Sequence, residues 1–130
     1  MKRKAAATLK DARLLMKAGR WNGAANRCYY AVYQALVGEF EARGRRPGEF
    51  ARVDLRYPDK WPHWLVVDHC RALGLDRVEA GLVVSAAALR VQADYTGSTV
   101  DSWAVECVLS GLPTLFAGLG IPVRPEGDVP

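Results

Sequence analysis

The sequence predicts an all-α fold, an antiparallel up-and-down bundle of about five helices. Apolar residues recur at helical spacing along most of the chain, and no useful run alternates with the two-residue period of strands. The chain has 130 residues, half of them hydrophobic and a quarter charged, which is sufficient for one hydrophobic core. We expect one domain at residues 1–121 and a loose, proline-rich tail at residues 122–130.

Two helices open the predicted bundle. The first runs from about Ala5 to Ala18, with an apolar face opposite a basic face. The second runs from Asn22, its predicted N-cap, to Arg43 and is the longest element. Its large side chains form one stripe and its small residues form a second. The large ones are Tyr29, Tyr33, Leu36 and Phe40, and the small ones are Ala24, Cys28, Ala31, Ala35, Gly38 and Ala42. Small residues let another helix approach closely, so we expect this helix at the centre.

A charged segment follows the second helix. Residues 44–61 contain two prolines, two glycines and several arginines, which predicts a long basic loop. A third helix begins with Pro62 in its first turn and ends at Gly74. Both histidines, His63 and His69, lie on this helix.

The last two helices carry start signals in their sequences. Asp76 with Glu79 three residues later is typical of a capping box at the start of a fourth helix, which stops before Gly97. Ser98 with Asp101 repeats the signal for a fifth helix. The apolar stripe of the fifth helix is Val100, Ala104, Cys107, Gly111, Leu112, Leu115 and Leu119, and Pro113 should kink it.

The charge and the cysteine content of the chain indicate the kind of partner and the cellular compartment that we expect. The formal net charge of +4 comes mainly from arginine, which favours anionic partners, although a solvated basic surface gives the same composition. The chain has an odd number of cysteines, and they are widely separated at Cys28, Cys70 and Cys107. We therefore expect buried thiols in a reducing cytoplasm and no disulfide framework. The sequence contains no closely spaced pair of metal ligands and no cofactor-binding motif, so we predict neither a metal site nor a cofactor. The sequence contains no run of 18 apolar residues, so we predict no membrane-spanning helix.

Ordered motifs indicate a family. Three short motifs follow one another at Ala12–Leu15, Gly19–Trp21 and Ala24–Tyr33. The third of them reads A-x-N-R-x-Y-Y-A-x-Y. Later, Leu89–Tyr95 reads L-R-x-x-A-D-Y. Together they resemble the HEPN domains, small helical proteins named for nucleotide binding in higher eukaryotes and prokaryotes. The resemblance extends over roughly residues 5–118, and the ordered combination is more specific than any one motif.

The resemblance implies a set of partners. HEPN proteins are antiparallel helical bundles that usually form homodimers, and many bacterial members are encoded beside a minimal nucleotidyltransferase, as in toxin–antitoxin systems. Others are ribonucleases or toxins. The chain's four Trp and five Tyr also favour a homodimer, because one small core does not readily bury so many large amphipathic side chains. A nucleotide or RNA is the ligand that the resemblance implies.

The catalytic motif of the ribonuclease members is incomplete here. That motif is an Arg followed after four to six residues by a His on the final helices. No histidine follows Arg90, so the general base is missing at the expected place. A literal match exists between Arg56 and His63, but it spans two prolines and starts in the predicted loop. Arg56 and His63 are therefore the alternative catalytic pair, and otherwise we predict no catalytic residue.

One face of the second helix carries the first candidate binding residues. Arg27, Tyr30 and Gln34 lie close together on a helix and could hold a phosphate or a base. Alternatively, Arg27 pairs with Asp94 of the fourth helix, and Arg27→Ala then costs about 3–5 kcal/mol by leaving a carboxylate unpaired. The full predicted ligand-binding set is Arg27, Tyr30, Gln34, His63, Arg90, Asp94 and Tyr95.

Two functions follow from these observations. The first is a non-catalytic HEPN-type protein that binds a nucleotide or RNA, or that works as the partner subunit of a nucleotidyltransferase. The alternative is a ribonuclease toxin that uses Arg56 and His63. Since the histidine after Arg90 is absent, the first function is favoured, and we expect no RNA cleavage.

Overall fold

The computed structural model describes residues 1–95 and 99–123, and this part of the chain contains five α-helices and no strand. The helices are α1 (Lys2–Lys17), α2 (Trp21–Ala42), α3 (His63–His69), α4 (Arg77–Tyr95) and α5 (Ser102–Gly118). Short 3₁₀ turns lie at Pro47–Glu49 and Cys70–Leu73. The predicted all-α bundle is confirmed. Residues 124–130 of the predicted loose tail lie outside the described residues.

Helix α2 lies at the centre, as its stripe of small residues predicts. It packs against each of the other four helices, and every small residue of the stripe except Ala42 is buried. Helix α1 runs antiparallel to it, since Lys2 pairs with Glu39 at 2.9 Å near one end and Leu15 lies against Gly23 near the other. Gly38 allows this close packing, because a Cβ there would lie 2.8 Å from Lys2 Cγ.

Two predicted helix starts are wrong. Helix α2 begins one residue before Asn22, whose side-chain oxygen accepts a hydrogen bond from the backbone N–H of Val100 at 2.8 Å instead of capping the helix. Helix α5 begins after Asp101, whose carboxylate accepts from the N–H of Trp103 at 2.9 Å. Asp101 is thus the N-cap. Ser98, the predicted start, lies outside the described residues.

The start of α4 agrees with the sequence prediction. The N–H of Glu79 donates to the Asp76 carboxylate at 2.8 Å, and the N–H of Asp76 donates to the Glu79 carboxylate at 3.0 Å. These two bonds form the capping box. Helices α4 and α5 then pack closely, because a Cβ at Gly111 would lie 2.7 Å from Leu82 Cδ1.

The basic segment between α2 and α3 is fixed to the core by aromatic contacts. Trp61, which is 4% exposed, stacks on Phe40 of α2 with ring centroids 4.7 Å apart. Phe50 meets the edge of Phe40 at 5.3 Å, and Arg45 lies over the Phe50 ring at 4.7 Å. The loop therefore sets the position of the chain just before α3.

The cysteines are only partly where the sequence prediction placed them. Cys28 and Cys70 are buried, and burial raises the pKa of both thiols, that of Cys28 to about 12. Cys107 is exposed, so the prediction of a buried thiol is wrong there. The reason is that the buried face of α5 is formed by Val105, Val108 and Leu112 instead.

Candidate functional site

His63 is the centre of the candidate site. It is the first residue of α3, directly after Pro62. Its Nδ1 lies 2.7 Å from the hydroxyl of Tyr29, and its ring stacks on Tyr33 with centroids 4.3 Å apart. Because Tyr29 and Tyr33 are four residues apart, they lie on the same side of α2. The imidazole is thus held on the surface of the central helix.

The backbone before His63 is held in the same place. The hydroxyl of Tyr33 donates a hydrogen bond to the carbonyl of Trp61 at 2.5 Å, and Trp61 is stacked on Phe40. Pro62 has a fixed φ of −62° in extended backbone. The chain therefore has little freedom to move His63 away from α2.

Arg90 reaches the same aromatic group from α4. Its guanidinium carbon lies 5.2 Å from the ring centroid of Tyr29 and 5.7 Å from that of Tyr30, within the range of cation–π attraction. The His63 ring lies 5.4 and 5.6 Å from the same two centroids. We call Tyr29, Tyr30, Tyr33, His63 and Arg90 the aromatic cluster.

The contact between Arg90 and Asp94 is an ion pair without a hydrogen bond. Arg90 Nε lies 3.5 Å from Asp94 Oδ2, one helical turn away. Nε is buried and donates to no acceptor among the described residues. Asp94 also lies 3.4 Å from the side-chain amide nitrogen of Asn26 on α2. The carboxylate is therefore shared, and the guanidinium keeps donors for a further partner.

Burial sets the protonation of Tyr29 and His63. It raises the pKa of Tyr29 to about 12. It lowers the pKa of His63, and the positive charges of Arg90 and Lys60 lower it further. At neutral pH the phenol is therefore protonated and the imidazole neutral. The only acceptor for the Tyr29 hydroxyl among the described residues is His63 Nδ1, so we assign the ring proton to Nε2.

The lowered pKa of His63 predicts a pH dependence of stability. In the unfolded chain the pKa takes its ordinary value of 6.5, so below about pH 6.5 the unfolded state binds more protons than the folded state. We expect the melting temperature to fall as the pH decreases from 6.5 toward the folded pKa, and to be insensitive to His63 above that range. Thermal melts between pH 5 and pH 8 measure this effect.

The matched control for this experiment is the second histidine. His63→Asn keeps an acceptor near the Nδ1 position but does not titrate, so we expect a flatter profile above pH 5. His69→Asn should keep the wild-type profile, because His69 ends α3 beside Phe50 and is not among the tyrosine rings that surround His63. A decline that disappears in His69→Asn and persists in His63→Asn would contradict the assignment.

Four residues of the predicted binding set are brought together. Tyr30, His63, Arg90 and Asp94 lie in or beside the aromatic cluster. The other three are elsewhere. Gln34 is buried between α1 and α2 and accepts a hydrogen bond from Thr8 at 2.7 Å, and Arg27 is exposed. Tyr95 ends α4 with 73% of its surface exposed and makes no ring contact with the described aromatic residues.

The predicted constellation of Arg27, Tyr30 and Gln34 is therefore wrong, because α1 covers Gln34. The alternative pairing of Arg27 with Asp94 is also wrong. Asp94 lies against Arg90, four residues earlier on α4, and against Asn26 of α2. Asn26 is rotated about 100° from Arg27 on the helix, and it is this side of α2 that faces α4.

The alternative catalytic pair is not brought together either. Arg56 is held by Asp54, with its Nε and Nη2 atoms 3.2 and 3.0 Å from the carboxylate oxygens. His63 instead contacts the three tyrosines of α2. The structure nevertheless places a histidine in the same cluster as Arg90. This histidine, His63, belongs to α3, whereas the ribonuclease motif has its histidine four to six residues after the arginine.

Tyr29, Tyr33 and Asn26 are the site residues that sequence reasoning missed. Tyr29 was expected only as part of the apolar stripe, yet it is 2% exposed and bonds to His63. A buried tyrosine hydroxyl needs a hydrogen-bond partner, and this requirement is the signal that could have identified it. The sequence holds no comparable signal for Asn26.

The described part of the chain shows neither a metal-binding cluster nor a membrane-spanning helix. The described residues include no group of three or more His, Cys, Asp or Glu that could hold a metal ion. None of the helices in the described ranges is long and apolar enough to cross a membrane.

Comparison with known proteins gives a partial similarity to one family model. No curated protein matches the chain at a significant level. The model of the HEPN domain family matches residues 1–50, a range that includes the three tyrosines of the cluster but not His63 or Arg90. The match covers α1, α2 and the start of the following loop, and it supports the resemblance to HEPN domains that the sequence motifs indicate.

Proposed function

We propose that the protein is a non-catalytic HEPN-domain protein that binds a nucleotide or an RNA phosphate at the aromatic cluster. The HEPN match implies a function related to nucleotides or RNA. The observation that carries the proposal is the meeting of Tyr30, His63 and Arg90 around shared rings. Each of them offers a donor that has no acceptor among the described residues.

The donors fit the chemistry of a phosphate. An Arg guanidinium binds phosphate oxygens through two parallel hydrogen bonds, and Arg90 has a buried Nε without an acceptor in the described chain. His63 adds a neutral Nε2–H donor in the tautomer assigned above. The half-buried Tyr30 adds a hydroxyl and a ring edge, and aromatic rings are the surfaces on which bases stack.

The charge distribution supports an anionic ligand. The first twenty residues contain seven Lys or Arg and only one acidic residue, a surplus of six charges, whereas the whole chain carries +4. Positive charge is therefore concentrated at α1 and the start of α2, and the remainder of the chain is slightly acidic. Such an asymmetry raises the local concentration of polyanions and speeds their association.

Binding of ATP and of a labelled single-stranded RNA tests the proposal. Arg90→Gln removes the charged donors, and we expect its affinity to fall about 10-fold or more, since a hydrogen bond to a charged group contributes about 1.5–3 kcal/mol. The pKa of His63, measured by NMR, should rise in this variant because Arg90 lowers it. Calorimetry for ATP and fluorescence anisotropy for RNA give the affinities.

Arg27→Gln is the matched control. Arg27 is exposed on the same central helix and has no ion pair with Asp94, so its replacement should leave stability within about 0.5 kcal/mol of the parent and affinity unchanged. Equal losses in Arg27→Gln and Arg90→Gln would indicate unspecific attraction to positive charge. Wild-type affinity in Arg90→Gln would overturn the proposed site.

We predict that the protein does not cleave RNA. Cleavage needs a base for the 2′-hydroxyl proton, and the tautomer assigned to His63 has its lone pair on Nδ1, where Tyr29 donates. Arg56 is engaged with Asp54. The test is incubation with mixed RNA, with His63→Ala and Arg56→Ala in parallel. Cleavage lost in both variants would establish the ribonuclease alternative, and equal cleavage in all three preparations would indicate contamination.

The family resemblance extends the proposal to protein partners. We expect a homodimer, and a minimal nucleotidyltransferase as a second partner in a toxin–antitoxin type of system, within a reducing cytoplasm. The identity of the adjacent gene is the first observation to make, because many bacterial members of the family are encoded beside a nucleotidyltransferase. Co-purification of the two gene products would then test the partnership directly.

A further inference from the structure

The polar contacts between α2 and α4 continue one helical turn beyond the aromatic cluster. At the cluster, Arg90 of α4 lies against Tyr30 of α2, with its guanidinium carbon 5.7 Å from the ring centroid. Four residues earlier on α2 and four residues later on α4, the amide nitrogen of Asn26 lies 3.4 Å from both carboxylate oxygens of Asp94. The two helices are therefore antiparallel here, and Asp94 lies directly beside the proposed phosphate site.

Both oxygens of Asp94 can accept further hydrogen bonds. A carboxylate has two oxygens with about four lone pairs. Among the described residues, its contacts are the Asn26 amide at 3.4 Å and Arg90 Nε at 3.5 Å. These distances exceed the usual N–H···O range of about 2.7–3.2 Å. The side chain of Asp94 is 29% exposed, so a ligand can reach it.

The chemistry of a carboxylate limits which part of a nucleotide can lie beside Asp94. A carboxylate accepts hydrogen bonds and donates none, and its negative charge repels a phosphate. The phosphate therefore fits the donors of Arg90 and His63, whereas Asp94 fits a neutral group that donates. In a nucleotide, the neutral donors are the hydroxyls of the ribose and the N–H groups on the edges of the bases.

The distance from the phosphate favours the ribose. Asp94 lies one turn beyond Arg90, since four residues advance an α-helix by about 6 Å. The ribose hydroxyls are the donors nearest to the 5′-phosphate of a nucleotide, and the base edges lie beyond them. Two neighbouring hydroxyls also match the two oxygens of one carboxylate. An Asp or Glu holds the ribose hydroxyl in the same way in dinucleotide-binding proteins.

We propose that Asp94 makes this site selective for ribose, by accepting hydrogen bonds from the 2′- and 3′-hydroxyls of a nucleotide whose 5′-phosphate is bound by Arg90 and His63. This inference rests on the proposed function and adds the class of ligand, which is a ribonucleoside 5′-phosphate with both hydroxyls free. A deoxynucleotide lacks one of the two donors, so it leaves a carboxylate oxygen without its partner. The 2′-hydroxyl is the group that distinguishes the two kinds of nucleotide.

Two kinds of molecule carry this chemistry. One is a free ribonucleotide, and the other is the 3′ end of an RNA, where the last residue keeps both hydroxyls. Within an RNA chain the 3′-oxygen is bonded to the next phosphate, whose negative charge would lie beside the carboxylate of Asp94. The proposal therefore excludes an internal RNA residue from this position.

Binding of ATP, 2′-deoxy-ATP and 3′-deoxy-ATP to the parent protein tests the proposal by calorimetry. We expect ATP to bind about 10-fold or more tightly than either deoxynucleotide, because each of these lacks a hydrogen bond to a charged group. Equal affinities for all three would overturn the role of Asp94 and leave the phosphate site supported. If none of the three binds, both proposals are wrong.

GTP and 2′-deoxy-GTP test whether the carboxylate holds a base instead. If Asp94 holds the ribose, the preference for the ribonucleotide should be the same with guanine as with adenine. Equal affinities for GTP and 2′-deoxy-GTP, both much tighter than that for ATP, would show that the site holds the edge of the base. That result would overturn the proposal.

Asp94→Asn separates a contact with the ribose from an effect of charge. We expect weaker binding of ATP, because the charged acceptor is lost, and equal or tighter binding of 2′-deoxy-ATP, because the repulsion of its phosphates is lost as well. A structural role of Asp94 would lower both affinities by the same factor, and a purely electrostatic role would raise both by the same factor. Either of these results would contradict selection of ribose.

Glu106→Gln is the matched control, since it changes the net charge by the same amount at an exposed position of α5. It should keep the parent's preference for ATP over 2′-deoxy-ATP, and loss of the preference in this variant too would overturn the assignment to Asp94. Circular dichroism checks that both variants fold. The nucleotide series on the parent protein decides the question without either variant.

A labelled RNA with a free 3′ end, compared with the same RNA carrying a 3′-phosphate, distinguishes the two sources of the ligand. Fluorescence anisotropy gives both affinities. Tighter binding of the free end, lost in Asp94→Asn, supports the end of an RNA as the ligand. Equal binding of the two RNAs, together with a preference for ATP over 2′-deoxy-ATP, supports a free ribonucleotide. Tighter binding of the 3′-phosphorylated RNA would contradict the proposal.

Discussion

Phe40→Ala is expected to lower the free energy of unfolding by about 3–5 kcal/mol, the usual range for removing a buried aromatic ring. Phe40 is fully buried and contacts Trp61 and Phe50 from the loop before α3. Its removal leaves a cavity at the point where this loop is fixed to the central helix. Chemical denaturation measures the loss.

The same substitution should weaken ligand binding although Phe40 is not in the aromatic cluster. Trp61 accepts the hydrogen bond from Tyr33, and Pro62 and His63 follow it directly. When the indole loses its support, the backbone that places His63 gains freedom, and affinity for ATP falls with it. Calorimetry on the folded variant gives the size of this effect.

Two control variants show whether any loss of ATP affinity comes from lower stability in general or from the displacement of His63. Phe40→Leu keeps most of the volume and should cost less than about 1.5 kcal/mol. Leu112→Ala, in the fully buried core of α5, should cost about 2–5 kcal/mol and leave ATP affinity unchanged. If Phe40→Ala reduces affinity no more than Leu112→Ala does, the aromatic contacts do not position His63.

The fold could be predicted because its determinants are local. Helical periodicity gave the five helices, and the Asp76–Glu79 pair gave the start of α4 to the residue. The starts of α2 and α5 could not be predicted in the same way. Asn22 has the right chemistry for an N-cap, but a partner far along the chain, Val100, takes its side chain.

The residues of the site could be predicted more readily than their arrangement. Tyr30, His63, Arg90 and Asp94 were each identified, but their meeting depends on how the loop before α3 folds back on Phe40. The choice between Asn26 and Arg27 as the neighbour of Asp94 depends on the rotation of α2 about its own axis. Neighbouring positions differ by about 100° on a helix, and the sequence pattern does not fix the rotation so narrowly.

Gly38→Val is expected to destabilise the fold by about 2–3 kcal/mol, near the upper end of the usual range for overpacking. A Cβ at this position would lie 2.8 Å from Lys2 Cγ and 3.0 Å from the backbone nitrogen of Lys2. The side chain could move, but the backbone nitrogen moves only with the whole start of α1. That shift would also stretch the 2.9 Å ion pair between Lys2 and Glu39.

Gly23→Val is the matched control at the other end of the same helix pair. The nearest atom to a Cβ there is the flexible end of Leu15 at 3.4 Å, which is an ordinary contact, so we expect a change smaller than about 1 kcal/mol. Thermal and chemical denaturation of the two variants give the comparison. If both substitutions cost the same, the stripe of small residues on α2 reflects composition alone and does not set the distance between α1 and α2.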